Sequence, residues 1–314
     1  MTNIIFMGTP DFSVPILEKL HEQFNVDLVV SQPDRPVGRK RKLTPPAVAK
    51  KAADLGIDLY QPEKISHPES VEKIKSYNPD IIITAAYGQL LSEDVLNIPE
   101  LGCVNVHASL LPKHRGGAPI HRSILEGDKE TGVTLMYMAK ELDAGDIIAS
   151  VKTDILESDT VGTLHDRLSE LGTKILIKEL PAILNKENSR TPQNDADATF
   201  SPNIEKDDEY VEFNRSAREI FNHIRGLNPF PGSYTTINGQ RLKLYLSKIL
   251  KSKSKETPGT ILKDTKGGFI VSTNDYDVEI LEVQPSGRKR MPAFQFIENN
   301  QSLIGQVFGV DNDS

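Results

Sequence analysis

Four short apolar runs alternate with amphipathic stretches in the first half of the chain. The apolar runs are 4–7, 26–30, 81–85 and 103–107. Runs of this length are typical of parallel strands that are buried on both faces. The stretches with helical spacing are 14–24, 46–55 and 69–77, and Ser13 is a candidate N-cap for the first of them. This alternation predicts an α/β fold with an open, parallel-rich sheet, whose ligands bind beyond the carboxyl ends of the strands.

The pattern changes after residue 132. Segments 133–138 and 146–155 predict a strand pair, and 160–184 predicts a long helix that closes the first domain. Segment 185–208 is polar and aperiodic, which is typical of a linker. A helix at 216–227 then precedes five short strands, which predict a small β-barrel. These strands are 233–237, 242–250, 259–263, 268–273 and 278–283. We therefore place the first domain at 1–188, a linker at 189–206 and the barrel at 207–314.

Length, charge and cysteine content agree with a two-domain protein of the cytoplasm. A chain of 314 residues exceeds the usual size of a single hydrophobic core. The net charge of −7 is uneven, because residues 209–314 carry 14 basic and 12 acidic side chains. A relatively basic second half is typical either of a polyanion-binding module or of a solubilising surface. The single cysteine, Cys103, excludes a disulfide framework and a thiolate metal cluster, and the apolar N-terminal stretch is too short for a membrane span.

Chemically useful side chains gather at the end of the fourth apolar run. Asn105 and His107 are two residues apart in a predicted strand and therefore project on the same side. An Asn amide can donate to an oxyanion, and an imidazole can exchange a proton, so the pair suits acyl transfer. In ELDAGDII, Asp143 or Asp146 could orient the imidazole. Taken singly, a core histidine and an Asx turn explain these residues as well; their joint occurrence favours a site.

Three other kinds of site are disfavoured. His107, His114 and His121 recur every seven residues, but the prolines and glycines between them prevent the continuous helix that would align them for zinc. Ser109 lacks the G-x-S-x-G context of a hydrolase nucleophile, and no G-x-G-x-x-G follows the first strand. We expect no metal in this protein.

Residues 105–138, NVHASLLPKHRGGAPIHRSILEGDKETGVTLMYM, followed by ELDAGDII, closely resemble the formyltransferase family that uses 10-formyltetrahydrofolate, and within it the members that act on methionyl-tRNA. The likeness extends to GTPDFSVPIL, QPDRPVGRKRK, AAYGQLL, GLNPFPGSY and QPSGRKRM. It implies a Rossmann-like catalytic domain, a C-terminal barrel resembling an OB fold, and 10-formyltetrahydrofolate as the formyl donor.

The resemblance also assigns residues. It implies Asn105, His107 and Asp143 as catalytic, with Asp146 the less favoured acid. The residues that match the family's folate-binding turn and the loop whose backbone faces the pterin are Ser109, Leu110, Leu111 and Pro112, and Ala86, Tyr87, Gly88, Gln89 and Leu90. In the implied mechanism Asn105 and His107 stabilise the oxyanion, while Asp143 orients the imidazole and helps to move protons.

The implied second substrate is initiator methionyl-tRNA, which places the protein, expected as a monomer, in translation initiation. Taken alone, the basic run after Gly38 is more typical of a solvated loop than of a binding site; in the family such a loop enters the acceptor stem, while the barrel contacts more of the tRNA. The residues expected to bind tRNA are Arg39, Lys40, Arg41, Lys42, Arg288, Lys289 and Arg290. Further candidates for phosphate contacts are Lys248, Lys251, Lys253 and Lys255.

Three rival functions remain. Glycinamide ribonucleotide formyltransferases share N-x-H and a later Asp but lack the second domain. A formyltransferase acting on an amino-sugar nucleotide can carry a barrel, although QPDRPVGRKRK favours tRNA. A non-catalytic RNA-binding protein on the same core would not need Asn105, His107 and Asp143 together, and a formylation assay with charged initiator tRNA distinguishes it.

Overall fold

The computed structural model describes residues 2–38 and 40–309. The chain forms two compact units. The first runs to Pro119 and also contains Glu130–Asp154 and His165–Pro202; the second contains Ile120–Lys129, Ile155–Leu164 and the chain from Asn203 onward. The domain limits inferred from sequence, at 188 and 207, stay a prediction.

A seven-stranded sheet forms the centre of the first unit, in the order β5-β2-β1-β6-β7-β8-β9. Its strands are β1 (Ile4–Gly8), β2 (Leu28–Val30), β5 (Asp58–Tyr60), β6 (Ile81–Ala85), β7 (Cys103–His107), β8 (Glu130–Tyr137) and β9 (Ile147–Asp154). The first five are parallel, and β8 and β9 are antiparallel. Every residue of β1 and β6 is buried, which explains why their sequences are almost wholly apolar. The predicted α/β class is confirmed.

Six helices connect or flank these strands: α1 (Val14–Phe24), α2 (Ala47–Leu55), α3 (Pro68–Ser76), α4 (Glu93–Leu96), α5 (Pro119–Leu125) and α6 (Val161–Leu184). Ser13 is the N-cap residue of α1, as predicted, but its hydroxyl donates to the Ala85 carbonyl at 2.5 Å instead of accepting from the helix. That bond ties the start of α1 to the end of β6. Among the described residues, no helix is both long and apolar enough to cross a lipid bilayer.

The basic run after β2 belongs to a two-stranded hairpin, β3 (Arg35–Val37) with β4 (Lys42–Thr44). The sequence predicted a loop here. Arg35–Val37 and Lys42–Leu43 are all exposed, so no alternation of buried and exposed residues indicates the two strands. The base of the hairpin is fixed by an ion pair between Arg35 and Glu63, 2.6 Å apart. Arg39 lies outside the described residues.

The second unit contains a six-stranded antiparallel sheet in the order β10-β11-β14-β13-β12, with β15 paired to β14. Its elements are α7 (Ala217–Gly226), β10 (Ser233–Ile237), β11 (Gln240–Ile249), β12 (Ile261–Asp264), β13 (Phe269–Val271), β14 (Val278–Pro285), β15 (Met291–Pro292) and α8 (Ala293–Glu298). A bulge in β11 near Leu246 increases the local twist of the sheet. One apolar core, which includes Phe213 and Phe269, joins the sheet to α7 and α8.

Candidate active site

The carboxyl ends of three neighbouring parallel strands lie at one edge of the first sheet. β1, β6 and β7 are neighbours in register, with Gly8 opposite Ala85 and Thr84 opposite Asn105. The following loops therefore start side by side, as expected for the ligand edge of an open α/β sheet. The Thr9 hydroxyl donates to the Tyr87 carbonyl at 2.7 Å, so two of these loops contact each other directly.

Asn105 is half-buried near the end of β7, and its amide has a fixed orientation. The Thr84 hydroxyl donates to Asn105 Oδ1 at 2.8 Å, so the carbonyl end of the amide points to the sheet neighbour. The Nδ2 donor is left for another acceptor. Thr84 was not predicted as a site residue, although a polar residue inside the apolar run of β6 indicates a buried hydrogen bond.

His107 ends β7 on the same side as Asn105, and its side chain is 7% exposed. Its Nε2 lies 2.9 Å from the His114 carbonyl. Because a carbonyl only accepts, Nε2 carries a proton in either charge state of the ring. Nδ1 is therefore the nitrogen that can gain or lose a proton, and it lies 3.7 Å from Asp143 Oδ2.

Asp143 is held in the turn between β8 and β9. Its Oδ2 accepts a hydrogen bond from the Gly116 backbone N–H at 2.8 Å, and its φ of +49° is unusual for a residue other than glycine. Gly145 is required in the same turn, because a Cβ there would lie 1.8 Å from the Tyr137 carbonyl oxygen. The turn thus places the carboxylate of Asp143 beside the imidazole, whereas Asp146 contributes its carbonyl to a hydrogen bond from the Tyr137 N–H.

Residues 191–201, which we call the strap, pair with the first unit although the sequence predicted a linker there. Thr191 exchanges backbone hydrogen bonds with Ile147, and Ser201 and Thr199 bond the backbone of Arg115. Ser201 Oγ lies 2.7 Å from His114 Nδ1, and Gln193 Nε2 donates to the carbonyls of Asp143 and Gly145, each at 2.8 Å. These residues show neither helical nor strand periodicity, so their contacts could not be predicted from the sequence.

The turn at 109–112 is rigid. The Ser109 hydroxyl is buried and donates to the Lys113 carbonyl at 2.7 Å, so it does not face a substrate as a nucleophile would. Thr134 Oγ1 donates to the Ser109 carbonyl and accepts from the Leu111 N–H, which fixes the turn to β8. Leu110 and Pro112 are half-buried and Leu111 is buried.

Within the 86–90 loop, exposed and internal residues alternate. Ala86, Gly88 and Leu90 are exposed, and Gly88 has a φ of +90°, which favours glycine. Tyr87 points inward, where burial raises the pKa of its hydroxyl, and Gln89 bonds the backbone N–H of Ile65. A ligand at this edge can therefore contact the backbone of Ala86 and Gly88 and the side chain of Leu90.

Cys103 and the three evenly spaced histidines have other roles. Burial raises the pKa of the Cys103 thiol to about 12, so it stays protonated at neutral pH. The ring nitrogens of His107, His114 and His121 bond separate partners, namely the His114 carbonyl, Ser201 and the Phe230 carbonyl. Within residues 2–38 and 40–309, no group of three His, Cys, Asp or Glu side chains is arranged to hold a metal ion.

The candidate tRNA-binding residues differ in whether their positive charge is already paired with a carboxylate. Lys40, Arg41 and Lys42 are exposed on the hairpin, as are Lys248, Lys251, Lys253 and Lys255 in the second unit. Arg290 is engaged in a bidentate ion pair with Glu282, with both N–O distances at 2.6 Å, and stacks on Tyr245. Arg288 and Lys289 are exposed beside it, so they are better placed than Arg290 to contact a phosphate.

Comparison with known proteins identifies the family of this chain. The formyl transferase family profile matches residues 2–180, and the formyl transferase C-terminal domain profile matches 203–301. The methionyl-tRNA formyltransferase of Macrococcus caseolyticus is 53% identical over 309 residues, covering 98% of this chain and 99% of that protein. The protein of the same name from Bacillus subtilis is 49% identical over 315 residues, covering 100% of this chain and 99% of its own.

Solved structures share the fold at lower identity. The N-formyltransferase from Helicobacter canadensis, in complex with folinic acid and dTDP-3-aminofucose, has a TM-score of 0.69 at 19% identity and covers 90% of this chain and 99% of its own. HypX from Aquifex aeolicus, in complex with tetrahydrofolic acid, has a TM-score of 0.64 at 15% identity and covers 96% of this chain and 48% of its own. With both profiles matched over most of its length, the chain belongs to the formyl transferase family.

Proposed function

We propose that this enzyme transfers a formyl group from 10-formyltetrahydrofolate to the α-amine of methionyl initiator tRNA, in support of translation initiation. One observation carries the proposal: at the end of β7 the free Nδ2 donor of Asn105 shares a face with His107, whose Nδ1 lies 3.7 Å from Asp143. A donor beside a proton-exchanging pair is what acyl transfer to an amine needs. The relatives about half identical over their full length carry the name of this activity.

The bound folate supplies the formyl carbon, and attack by the amine places negative charge on the formyl oxygen. Asn105 Nδ2 donates to that oxygen, and His107 adds positive charge beside it once it has accepted the proton that the amine loses. A free α-amine has a pKa of about 7.7–8.0, so a useful neutral fraction exists near pH 7. His107 Nδ1, beside Asp143, accepts the proton that the amine loses, while the His114 carbonyl holds Nε2 in place. As the bond between the formyl carbon and N10 breaks, His107 returns that proton to N10, so that tetrahydrofolate leaves and the formyl group stays on the amine.

The exposed loop residues fit a pterin. A pterin edge presents donors and acceptors that the backbone of Ala86 and Gly88 can satisfy, and Leu90 offers an apolar side chain that is 74% exposed. Gly88 has no side chain to keep a ligand away from its backbone. Its φ of +90° would strain any other residue at this position. The rigid turn at 109–112 supplies a second wall that the family resemblance assigns to the same ligand.

The proposed activity is tested directly with purified full-length protein, 10-formyltetrahydrofolate and methionyl initiator tRNA. We expect formyl-methionyl-tRNA to form at enzyme-dependent rates and a dTDP-amino sugar to remain unmodified. Formylation of the sugar in place of the tRNA would support the amino-sugar alternative. If neither substrate is formylated, the remaining alternative is a non-catalytic RNA-binding protein on the same core.

Neutralising the basic hairpin is expected to weaken tRNA binding. The hairpin carries exposed Lys40, Arg41 and Lys42, and its apolar Val37 and Leu43 are 57% and 61% exposed, a combination suited to a nucleic-acid partner. In a variant with all three basic residues changed to glutamine, the slope of log K against log salt should fall by roughly two to three, about 0.9 per lost phosphate contact.

The matched control removes three positive charges from the first unit away from the hairpin, by changing Lys152, Lys174 and Lys178 to glutamine. These lysines already pair with neighbouring carboxylates of Glu130, Glu170 and Glu179. Their loss should leave the salt slope unchanged. An equal change in both triple variants would mean that net charge, rather than the hairpin, controls tRNA binding.

A further inference from the structure

The strap fastens the turn that carries Asp143 to the loop whose His114 carbonyl contacts His107. At one end Thr191 pairs with Ile147, which follows the Asp143 turn; at the other, Arg115 N–H donates to the Thr199 carbonyl at 2.8 Å and Ser201 N–H to the Arg115 carbonyl at 2.7 Å. These bonds lie in the loop whose His114 carbonyl accepts from His107. The strap thus contacts the surroundings of both His107 and Asp143.

Gln193 joins the two loops through a single side chain. Its Nε2 donates to the carbonyls of Asp143 and Gly145, each at 2.8 Å, and its Oε1 accepts from Arg115 Nη2 at 2.9 Å and Nε at 3.2 Å. Arg115 is itself buried, at 5% exposure, and also pairs with Asp195 at 2.7 Å. The amide is therefore held at both ends, and the Asp143 turn is held to it.

The position of the Asp143 turn matters because its carboxylate lies close to, but outside, hydrogen-bond distance of the imidazole. The separation of 3.7 Å is about half an ångström beyond the upper limit of a usual N–H···O hydrogen bond, roughly 3.2 Å. Asp143 also has a backbone conformation that nonglycine residues rarely adopt. Without Gln193 the turn would keep the bond from the Gly116 N–H to Asp143 Oδ2 but lose the bonds to both of its carbonyls, so that the carboxylate would move relative to Nδ1.

We propose that Gln193 is a positioning residue for formyl transfer, which holds the Asp143 carboxylate beside the His107 imidazole through the two turn carbonyls. The inference rests on the proposed function and extends it to a segment with no sequence signature of a site. Gln193 does not touch the reacting atoms; it acts through Asp143.

A double-mutant cycle separates positioning from general stabilisation. Gln193→Ala should lower kcat on the order of tenfold, with KM for both substrates within about twofold of wild type, because misplacement of a catalytic group costs turnover rather than binding. In an Asp143→Asn background the same change should lower kcat less than about twofold, since the group that it positions is already lost. An equal factor in both backgrounds, or no loss in either, would overturn the proposal.

The control is Asn194→Ala, which removes an amide at the next position of the strap. The side chain of Asn194 bonds Ala196 and Asp197, inside the strap, and leaves the Asp143 turn untouched. We expect wild-type kcat from it. A loss equal to that of Gln193→Ala would show that any loosening of the strap has the same effect, which contradicts a specific role for Gln193.

A second readout needs neither substrate nor activity. In protein labelled with ¹⁵N-histidine, Asp143→Asn should change the side-chain ¹⁵N chemical shifts of His107, because the carboxylate 3.7 Å from Nδ1 is replaced by a neutral amide. Gln193→Ala or, should that variant fold poorly, Gln193→Met removes the bonds to both turn carbonyls and should also change the His107 chemical shifts; unchanged His107 shifts would refute the coupling. If the variants change the His107 shifts as expected but the wild-type protein forms no formyl-methionyl-tRNA, the proposed function alone is refuted.

Discussion

Asn105→Ala and His107→Ala are each expected to lower kcat for formyl transfer by about a hundredfold or more, the usual cost of removing one oxyanion donor. Asn105 is fixed by the Thr84 hydroxyl at 2.8 Å, so its Nδ2 donor is already oriented when substrates bind. His107 is fixed by the His114 carbonyl. Single-turnover formylation measures the loss, and the Kd for tRNA should be nearly unchanged.

Asn105→Asp distinguishes loss of the donor from loss of packing. It keeps the size of the side chain and an oxygen for Thr84, but replaces the donating NH₂ with a second acceptor. We expect it to be as slow as Asn105→Ala. Near-normal single-turnover rates in Asn105→Ala and His107→Ala would remove both residues from the chemistry.

Asp143→Asn should lower kcat about a hundredfold or more, because the imidazole loses the one carboxylate that lies 3.7 Å from its Nδ1. An asparagine can still accept from the Gly116 N–H through its oxygen, so the turn should keep its shape. The measurement is kcat at saturating concentrations of both substrates, together with the melting temperature to confirm that folding is intact.

Asp146→Asn is the matched control, since it changes the same residue type three positions along the same loop. Asp146 acts through its backbone carbonyl, which accepts from the Tyr137 N–H, so its kcat should stay within about threefold of wild type. The reverse result, with Asp146→Asn slow and Asp143→Asn normal, would assign the role to Asp146.

Much of the first unit could be predicted from sequence because its signals are local. The helical spacing at 14–24 matches α1, and the apolar runs at 81–85 and 103–107 match β6 and β7. Strands buried on both faces must be apolar over their whole length, so they stand out from the polar loops. The three-residue edge strand β5 and the exposed hairpin lack that signal and were missed.

The candidate site was predictable only in part. Strand alternation places Asn105 and His107 on one face without further information. Whether Asp143 or Asp146 faces the imidazole depends on the strained turn, on Gly145 and on the Gly116 N–H, 27 residues away along the chain from Asp143. Thr84 and Gln193 acquire their roles from partners that sequence spacing does not connect.

By itself, the sequence determined the alternation of buried strands with helices in the first unit, the strand end at which chemistry is possible, and the family. Hydrophobic periodicity indicates which residues are buried relative to their neighbours. Sequence motifs contain only residues that are close along the chain. Only the tertiary structure decided which acid lies beside His107, and that residues 191–201 are a strap instead of a free linker. Those contacts, such as His114 with Ser201 across 87 residues, form only when distant segments pack together, and no local pattern encodes them.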